Sequence, residues 1–127
     1  MDTVFLAQFM GLFSLVIGSG MLIKRKMTVK IFDEMFGSRA LIYLVGIAEI
    51  VGGVLLVLFH NVWDSPLASV VSALAWILLI EGVFYMFASQ RALRNTASLF
   101  HKQSAYYMIG VAYFLVGAVL VLSTFWV

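Results

Sequence analysis

The residues YLVGIAEIVGGVLLVL (43–58) decide the fold, because a closely similar stretch, YMIGVAYFLVGAVLVL (107–122), follows them 64 positions later. The two stretches align without a gap. Identical pairs of tyrosine, glycine or alanine are Tyr43 and Tyr107, Gly46 and Gly110, Ala48 and Ala112, and Gly53 and Gly117. Apolar helices align easily by chance, but matched tyrosines and glycines are rarer. The pattern therefore predicts an internal repeat, with residues 1–63 as the first copy and 64–127 as the second.

The composition indicates a chain that lies in lipid rather than in water. Of its 127 residues, 64% are hydrophobic and 11% charged, and the mean hydropathy is +1.08. A soluble domain has about 45–50% apolar and about 25% charged residues. Cysteine is absent, which excludes disulfides, thiolate nucleophiles and cysteine-ligated metal centres. The net charge of +2 gives no sign of a nucleic-acid partner, so we expect the lipid bilayer as the partner.

Four segments are apolar over the length of about 20 residues that a helix needs to cross a bilayer. They are residues 3–23, 40–59, 66–88 and 104–127. The opening MDTVFLAQF lacks the basic start of a signal peptide, so the first segment is predicted to be retained. Each predicted repeat holds two segments, so both copies enter the membrane in the same sense. The predicted fold is an all-α membrane protein of one domain, with four transmembrane helices as two parallel-repeated helical hairpins.

The basic residues predict the orientation of these helices. All eight lie in or beside two connections: Lys24, Arg25, Lys26, Lys30 and Arg39 in the first, and Arg91, Arg94 and Lys102 in the last. Positive charge accumulates on the cytoplasmic side, so both termini are predicted outside the cytoplasm. Trp63 and Trp126 then lie at the outer interface. Apolar residues from Met27 to Phe36 recur at helical spacing, which indicates either a short amphipathic helix in the headgroup layer or an apolar turn under the bundle.

Small residues line one face of three predicted helices, where they permit close helix approach. These stripes contain Ala7, Gly11, Ser14 and Gly18 in the first helix, Gly46 and Gly53 in the second, and Gly110 and Gly117 in the fourth. Glu49 shares the stripe of the second helix, and Tyr113 shares that of the fourth. If these two stripes face each other, Glu49 meets Tyr113, its counterpart in the repeat.

Two glutamates, Glu49 and Glu81, lie inside predicted membrane helices at similar depth. A charged side chain at the centre of a helix in lipid costs about 2.5–3.5 kcal/mol, and no lysine or arginine lies inside a predicted span. We therefore expect neutral carboxyls that face the bundle interior, with Tyr113 and Ser14 as candidate hydrogen-bond partners. Two interpretations stay open. The glutamates fix helix register or an oligomer contact, or they carry a proton, a cation or a cationic substrate.

The two histidines, His60 and His101, are predicted on opposite faces of the membrane, so they cannot together ligate one haem or zinc ion. His60 is interpreted as an interfacial anchor that hydrogen-bonds with Asn61, close to the interfacial Trp63. No nucleophile, base and orienting residue are gathered at one depth, and no phosphate-binding glycine loop occurs. The sequence thus predicts no enzyme activity, no cofactor and no metal.

A resemblance to known proteins rests on residues of the second half and of the central connection. The stretches LLIEGVFYMFASQRALRNTASLF (78–100) and IGVAYFLVGAVLVL (109–122) contain a helix ending near E-G, a basic loop, and a helix with G…GxxLV. This pattern resembles a family of small bacterial inner-membrane proteins with two helices. The whole chain resembles longer four-helix bacterial proteins carrying LFHNVW (58–63). The first half departs from the pattern, because Ile17 stands where the glutamate belongs.

The resemblance implies a location in the bacterial inner membrane, with both termini periplasmic, and no assigned reaction. Some two-helix members are encoded beside stomatin-like scaffolds, which implies an accessory role. We therefore expect a non-enzymatic accessory or scaffold subunit that acts through helix–helix contacts, as a homo-oligomer or in a larger membrane complex. The alternative is a small proton- or cation-coupled transporter or channel that uses Glu49 and Glu81. A polar cavity at the glutamates would favour the alternative, and a dry, closed bundle would favour the accessory role.

Overall fold

The computed structural model describes residues 3–125, and every regular element in that range is a helix. In chain order they are α1 (Thr3–Ile23), α2 (Arg25–Gly37), α3 (Arg39–Phe59), α4 (Pro66–Phe87), α5 (Gln90–His101) and α6 (Gln103–Thr124). Four of them, α1, α3, α4 and α6, are long and apolar enough to cross a membrane. The prediction of an all-helical chain with four such helices is confirmed. The predicted end of the last helix at Val127 and the interfacial position predicted for Trp126 lie outside the described residues.

Serine side chains define where three helices begin. The hydroxyl oxygens of Ser38, Ser65 and Ser89 accept hydrogen bonds from backbone N–H groups three residues ahead, at 3.3, 3.1 and 3.2 Å. Each bond satisfies one of the N–H groups that a helix leaves unpaired at its start. After Ser65, Pro66 occupies the first helical position, where its missing N–H group is not needed.

Two short helices, α2 and α5, lie together at one end of the bundle. The first was predicted either as an amphipathic helix or as a turn and is a helix, whereas α5 was not predicted. The rings of Phe32 and Phe100 lie 4.6 Å apart between them, and Asp33 pairs with His101 at 2.7 Å. Since all lysines and arginines lie in or beside these two helices, we call this end of the bundle the basic side.

The four long helices form two closely packed pairs, α1 with α6 and α3 with α4. A methyl group at Gly117 of α6 would lie 2.5 Å from the Leu15 backbone nitrogen of α1. One at Gly53 of α3 would lie 2.7 Å from the Leu79 backbone nitrogen of α4. The glycine stripes of α3 and α6 therefore do not face each other, and that prediction is wrong. The glycine stripe of α3 packs against α4, and that of α6 packs against α1. Small residues at these contacts let the two backbones approach closely.

The two helix pairs make the same contacts at positions that differ by 64. Gly18 of α1 approaches the backbone of Phe114 and Gly110 in α6. At positions 64 residues removed, Gly82 of α4 approaches the backbone of Ile50 and Gly46 in α3. In each pair, one helix comes from each predicted half of the chain, so the closest contacts run between the halves.

Candidate functional site

A half-open cavity of about 370 Å³ lies between the helices, and its lining includes side chains from all six helices, among them the exposed Phe13. Both Glu49 of α3 and Glu81 of α4 line it. The close approach of α3 and α4 at their glycines brings these two acidic residues to the same space. We call it the central cavity.

The two glutamates differ in how their oxygens are satisfied. Tyr85 lies one helical turn after Glu81, and its hydroxyl donates a hydrogen bond of 2.7 Å to Glu81 Oε1. In contrast, Glu49 Oε2 is buried and has no hydrogen-bond partner among residues 3–125. An unpartnered buried polar atom costs about 1–3 kcal/mol. Glu49 is therefore the group in this cavity that a proton or a cation would stabilise most.

Tyr113 lines the central cavity from α6, so it does share a space with Glu49. Among the described residues, however, neither Tyr113 nor Ser14 forms a hydrogen bond to either glutamate, contrary to expectation. The reason is the pairing of the helices. The stripe with Glu49 packs on α4 rather than on α6, and Ser14 is buried in the stripe of α1 that packs on α6.

Tyr85 is the partner that the sequence analysis did not identify. A tyrosine four residues after a glutamate lies on the same face of a helix, so the spacing of Glu81 and Tyr85 was the available signal. Tyr85 also packs edge-on against Phe36, with ring centroids 5.6 Å apart.

Aromatic and aliphatic side chains form the rest of the cavity wall. On the basic side, α2 supplies Phe32 and Phe36 and α5 supplies Phe100, and the rings of Phe36 and Phe100 stack at 6.2 Å. Helix α1 supplies Phe13 and Ile17. No lysine or arginine is among the described residues that line this cavity. The arrangement is therefore a small apolar and aromatic chamber with two carboxyls on its α3–α4 wall, which suits a cation better than an anion.

All six glycines predicted as packing residues are buried in helix contacts: Gly11, Gly18, Gly46, Gly53, Gly110 and Gly117. Gly82 of α4 belongs to the same group, since a methyl group there would lie 2.8 Å from the Ile50 backbone nitrogen. These residues set the distance between the helices and thereby the width of the central cavity, but they do not line it.

His60 is buried at the end of the bundle opposite the basic side, with 3% of its surface exposed. Its Nε2 lies 2.8 Å from Thr3 Oγ1 and its Nδ1 2.9 Å from Ser72 Oγ. The Ser72 hydroxyl donates to the Val62 carbonyl at 2.7 Å. Since this uses the serine's only proton, the Ser72 hydroxyl oxygen accepts the bond from His60 Nδ1.

The predicted bond between His60 and Asn61 is not present. Asn61 instead accepts hydrogen bonds from the indole nitrogens of Trp63 and Trp76, at 2.8 and 3.3 Å. The reason is that Ser72 and Thr3, both distant in sequence, offer His60 buried partners. Trp63 is more than half exposed, as a residue at a membrane interface would be.

Within residues 3–125, no three histidine, aspartate or glutamate side chains lie close enough to hold a metal ion. Comparison of the chain with protein-family models, with curated proteins and with solved structures finds no match.

Proposed function

We propose that the chain is a four-span membrane protein that binds a cation inside its bundle, between Glu49 and Glu81, as part of a small proton- or cation-coupled transporter. The observation that supports this proposal most is the buried, unpartnered Oε2 of Glu49 in a cavity that also reaches Glu81. A carboxyl that served only to fix helix register would be expected to have its hydrogen bonds satisfied.

The proposed accessory role has less support from the same geometry. Such a role needs a surface for helix–helix contacts in the membrane, and small residues are the usual means. The glycine stripes are occupied inside the bundle. The outward faces of the long helices carry large apolar side chains instead, such as Phe9, Leu44 and Leu58, which equally suit contact with lipid.

The proposed orientation follows the basic residues, which would place α2 and α5 in the cytoplasm and both termini in the periplasm of a bacterial inner membrane. The proposed architecture is a duplicated pair of spans, with both copies entering the membrane in the same sense. Two observations support the duplication: the shared residues of 43–58 and 107–122, and the glycine contacts that recur at a shift of 64.

Equilibrium binding tests the proposal directly. The ligand is benzyltrimethylammonium, titrated into the purified protein in lipid nanodiscs and followed by calorimetry. Neopentylbenzene, which has the same shape without the charge, serves as the ligand control. We expect the cation to bind at least roughly tenfold more tightly than the neutral compound, because only the cation interacts with the carboxyls.

Three matched variants complete this test. We expect Glu49→Gln and Glu81→Gln to weaken binding of the cation, with the larger loss for Glu49. Glu34→Gln makes the same chemical change at an exposed position of α2 and should leave binding unchanged. Equal affinity of all three variants and the wild type, or equal affinity for both ligands, would refute the proposed function.

A further inference from the structure

A shallow, open groove lies on the outer surface of the bundle, between α4 and α5. It has a volume of about 470 Å³, and its walls include Ile77, Phe84 and, from α5, Thr96. Glu81 and Tyr85 also line it. Since the same two residues line the central cavity, the hydrogen-bonded pair Tyr85–Glu81 separates one space from the other. We call this second space the lateral cavity.

A third cavity, of about 300 Å³, approaches Tyr85 from the basic side. Arg39 and Gln90 line it, and Arg39 Nε donates to Gln90 Oε1 at 3.3 Å across it. A cation that used this path would have to pass a guanidinium group, which stays charged at all physiological pH values. The lateral cavity has no lysine or arginine among its described lining residues.

We propose that the ligand reaches the central cavity sideways from the membrane, through the lateral cavity, with the Tyr85–Glu81 pair as the gate. This inference rests on the proposed function and narrows the ligand class. A ligand on this route is an amphiphilic cation that first partitions into the bilayer, because a hydrated inorganic ion would have to cross hydrocarbon to reach the opening. The apolar walls of the lateral cavity accept its hydrophobic part, and Glu81 accepts its charge.

The gate opens when a cation replaces the Tyr85 hydroxyl as the partner of the Glu81 carboxyl. In the closed state, Glu81 Oε1 accepts the hydrogen bond of Tyr85. An arriving cation competes for the same carboxyl, which releases the tyrosine ring, and the ligand then moves to the unpartnered Glu49 inside. The positions 64 residues before this pair hold Ile17 and Met21. The opposite wall therefore has no such polar pair.

Because the chain has no cysteine, single cysteines can be labelled without further changes. A bulky maleimide on Thr96→Cys should obstruct the lateral cavity. The Thr96 hydroxyl bonds only to the Ala92 carbonyl of its own helix, so the substitution itself should be tolerated. The matched control is the same label on Ser98→Cys, an exposed position two residues further along α5.

Stopped-flow measurements with benzyltrimethylammonium in lipid nanodiscs give the association and dissociation rates. We expect the label at position 96 to slow both rates at least roughly tenfold and to leave the equilibrium affinity unchanged, because it obstructs the path and not the site. The label at position 98 should change neither rate. Unchanged rates with the label at 96 would overturn lateral access while leaving the proposed cation site intact, whereas absence of any binding to the wild type would refute the site itself.

Three unlabelled variants keep the inference testable if the labelled protein does not fold. Tyr85→Phe removes the hydroxyl that holds Glu81, and we expect association about fivefold faster, as for the loss of one ordinary hydrogen bond. Tyr107→Phe removes a tyrosine hydroxyl that lines neither the central nor the lateral cavity and should not accelerate association. Arg39→Gln distinguishes the routes: faster association in this variant, with no effect of Tyr85→Phe, would place the path on the basic side and overturn the inference.

Discussion

Replacement of Gly53 by alanine should disrupt the contact between α3 and α4 that brings the two glutamates together. The added methyl group would lie 2.7 Å from both the nitrogen and Cα of Leu79, whereas carbon atoms in ordinary contact are about 3.5–4.0 Å apart. The obstacle is the backbone of α4, which cannot rotate away as a side chain can. The helices must therefore separate by roughly 1 Å.

The expected magnitude follows from two opposing effects. Overpacking costs about 1–3 kcal/mol, and we expect the upper part of this range because backbone must move. Alanine in a helix is more favourable than glycine by about 1 kcal/mol. The free energy of unfolding should therefore fall by about 1–2 kcal/mol in Gly53→Ala.

The neighbouring Gly52 provides the matched control. A methyl group there would meet Leu78 Cδ2 at 3.6 Å, an ordinary contact, so Gly52→Ala should keep the helix-propensity gain of up to about 1 kcal/mol. Reversible unfolding in mixed micelles, by titration with a denaturing detergent, measures the free energy of unfolding of both variants. Equal stabilities of the two variants would refute the close approach of α3 and α4 at Gly53.

Three further predictions concern single side chains. Glu49→Met should raise the free energy of unfolding by about 1–3 kcal/mol, since it removes a buried oxygen without a partner. It should also abolish cation binding. A lower free energy of unfolding in detergent would contradict this prediction. Ser72→Ala should lower the free energy of unfolding by about 1–3 kcal/mol, because it removes a hydrogen-bond partner of buried His60. The control Ser98→Ala, on the exposed face of α5, should have little effect. Equal melting temperatures of the two variants would contradict this prediction. Asp33→Asn alters an exposed contact with His101 and should change the free energy of unfolding by less than about 1 kcal/mol. A thermal melt measures this, and a larger loss would contradict the prediction.

The long helices were predictable because their signal is local. Each is an apolar run of the length that a bilayer needs, and each boundary has a nearby cause, such as Ser65 followed by Pro66 at the start of α4. Helix α5 was missed although Leu93, Ala97 and Phe100 recur at helical spacing on one face. The segment is short and has few apolar residues, so its periodic pattern is weak beside the long apolar runs that flank it.

The partners of the helices were not predictable in the same way. The sequence indicates which face of α3 carries Gly46 and Gly53, but both α1 and α4 offer small residues that would accept it. Which helix packs on this face depends on the packing of all the helices together, and no local sequence pattern indicates it. The error about Glu49 and Tyr113 followed directly from this, because a helix rotated toward another neighbour presents its glutamate to a different space.

The surroundings of His60 illustrate a second limit. Its partners, Thr3 and Ser72, lie 57 and 12 residues away, and neither belongs to a recognisable motif. The sequence therefore favoured the adjacent Asn61 as the hydrogen-bond partner of His60. The pair Glu81 and Tyr85 is different, since their spacing of one helical turn made the hydrogen bond open to prediction.

In the proposed function, Glu49 and Glu81 together hold a cation between the helices. The most direct measurement is a crystal structure with benzyltrimethylarsonium, in which arsenic replaces the ammonium nitrogen of the test ligand and its anomalous scattering marks the charged atom. We predict one strong anomalous peak in the central cavity, next to the carboxyls of Glu49 and Glu81, and its loss in Glu49→Gln. A peak only on the outer surface, or at exposed carboxyls such as Glu34, would contradict the account.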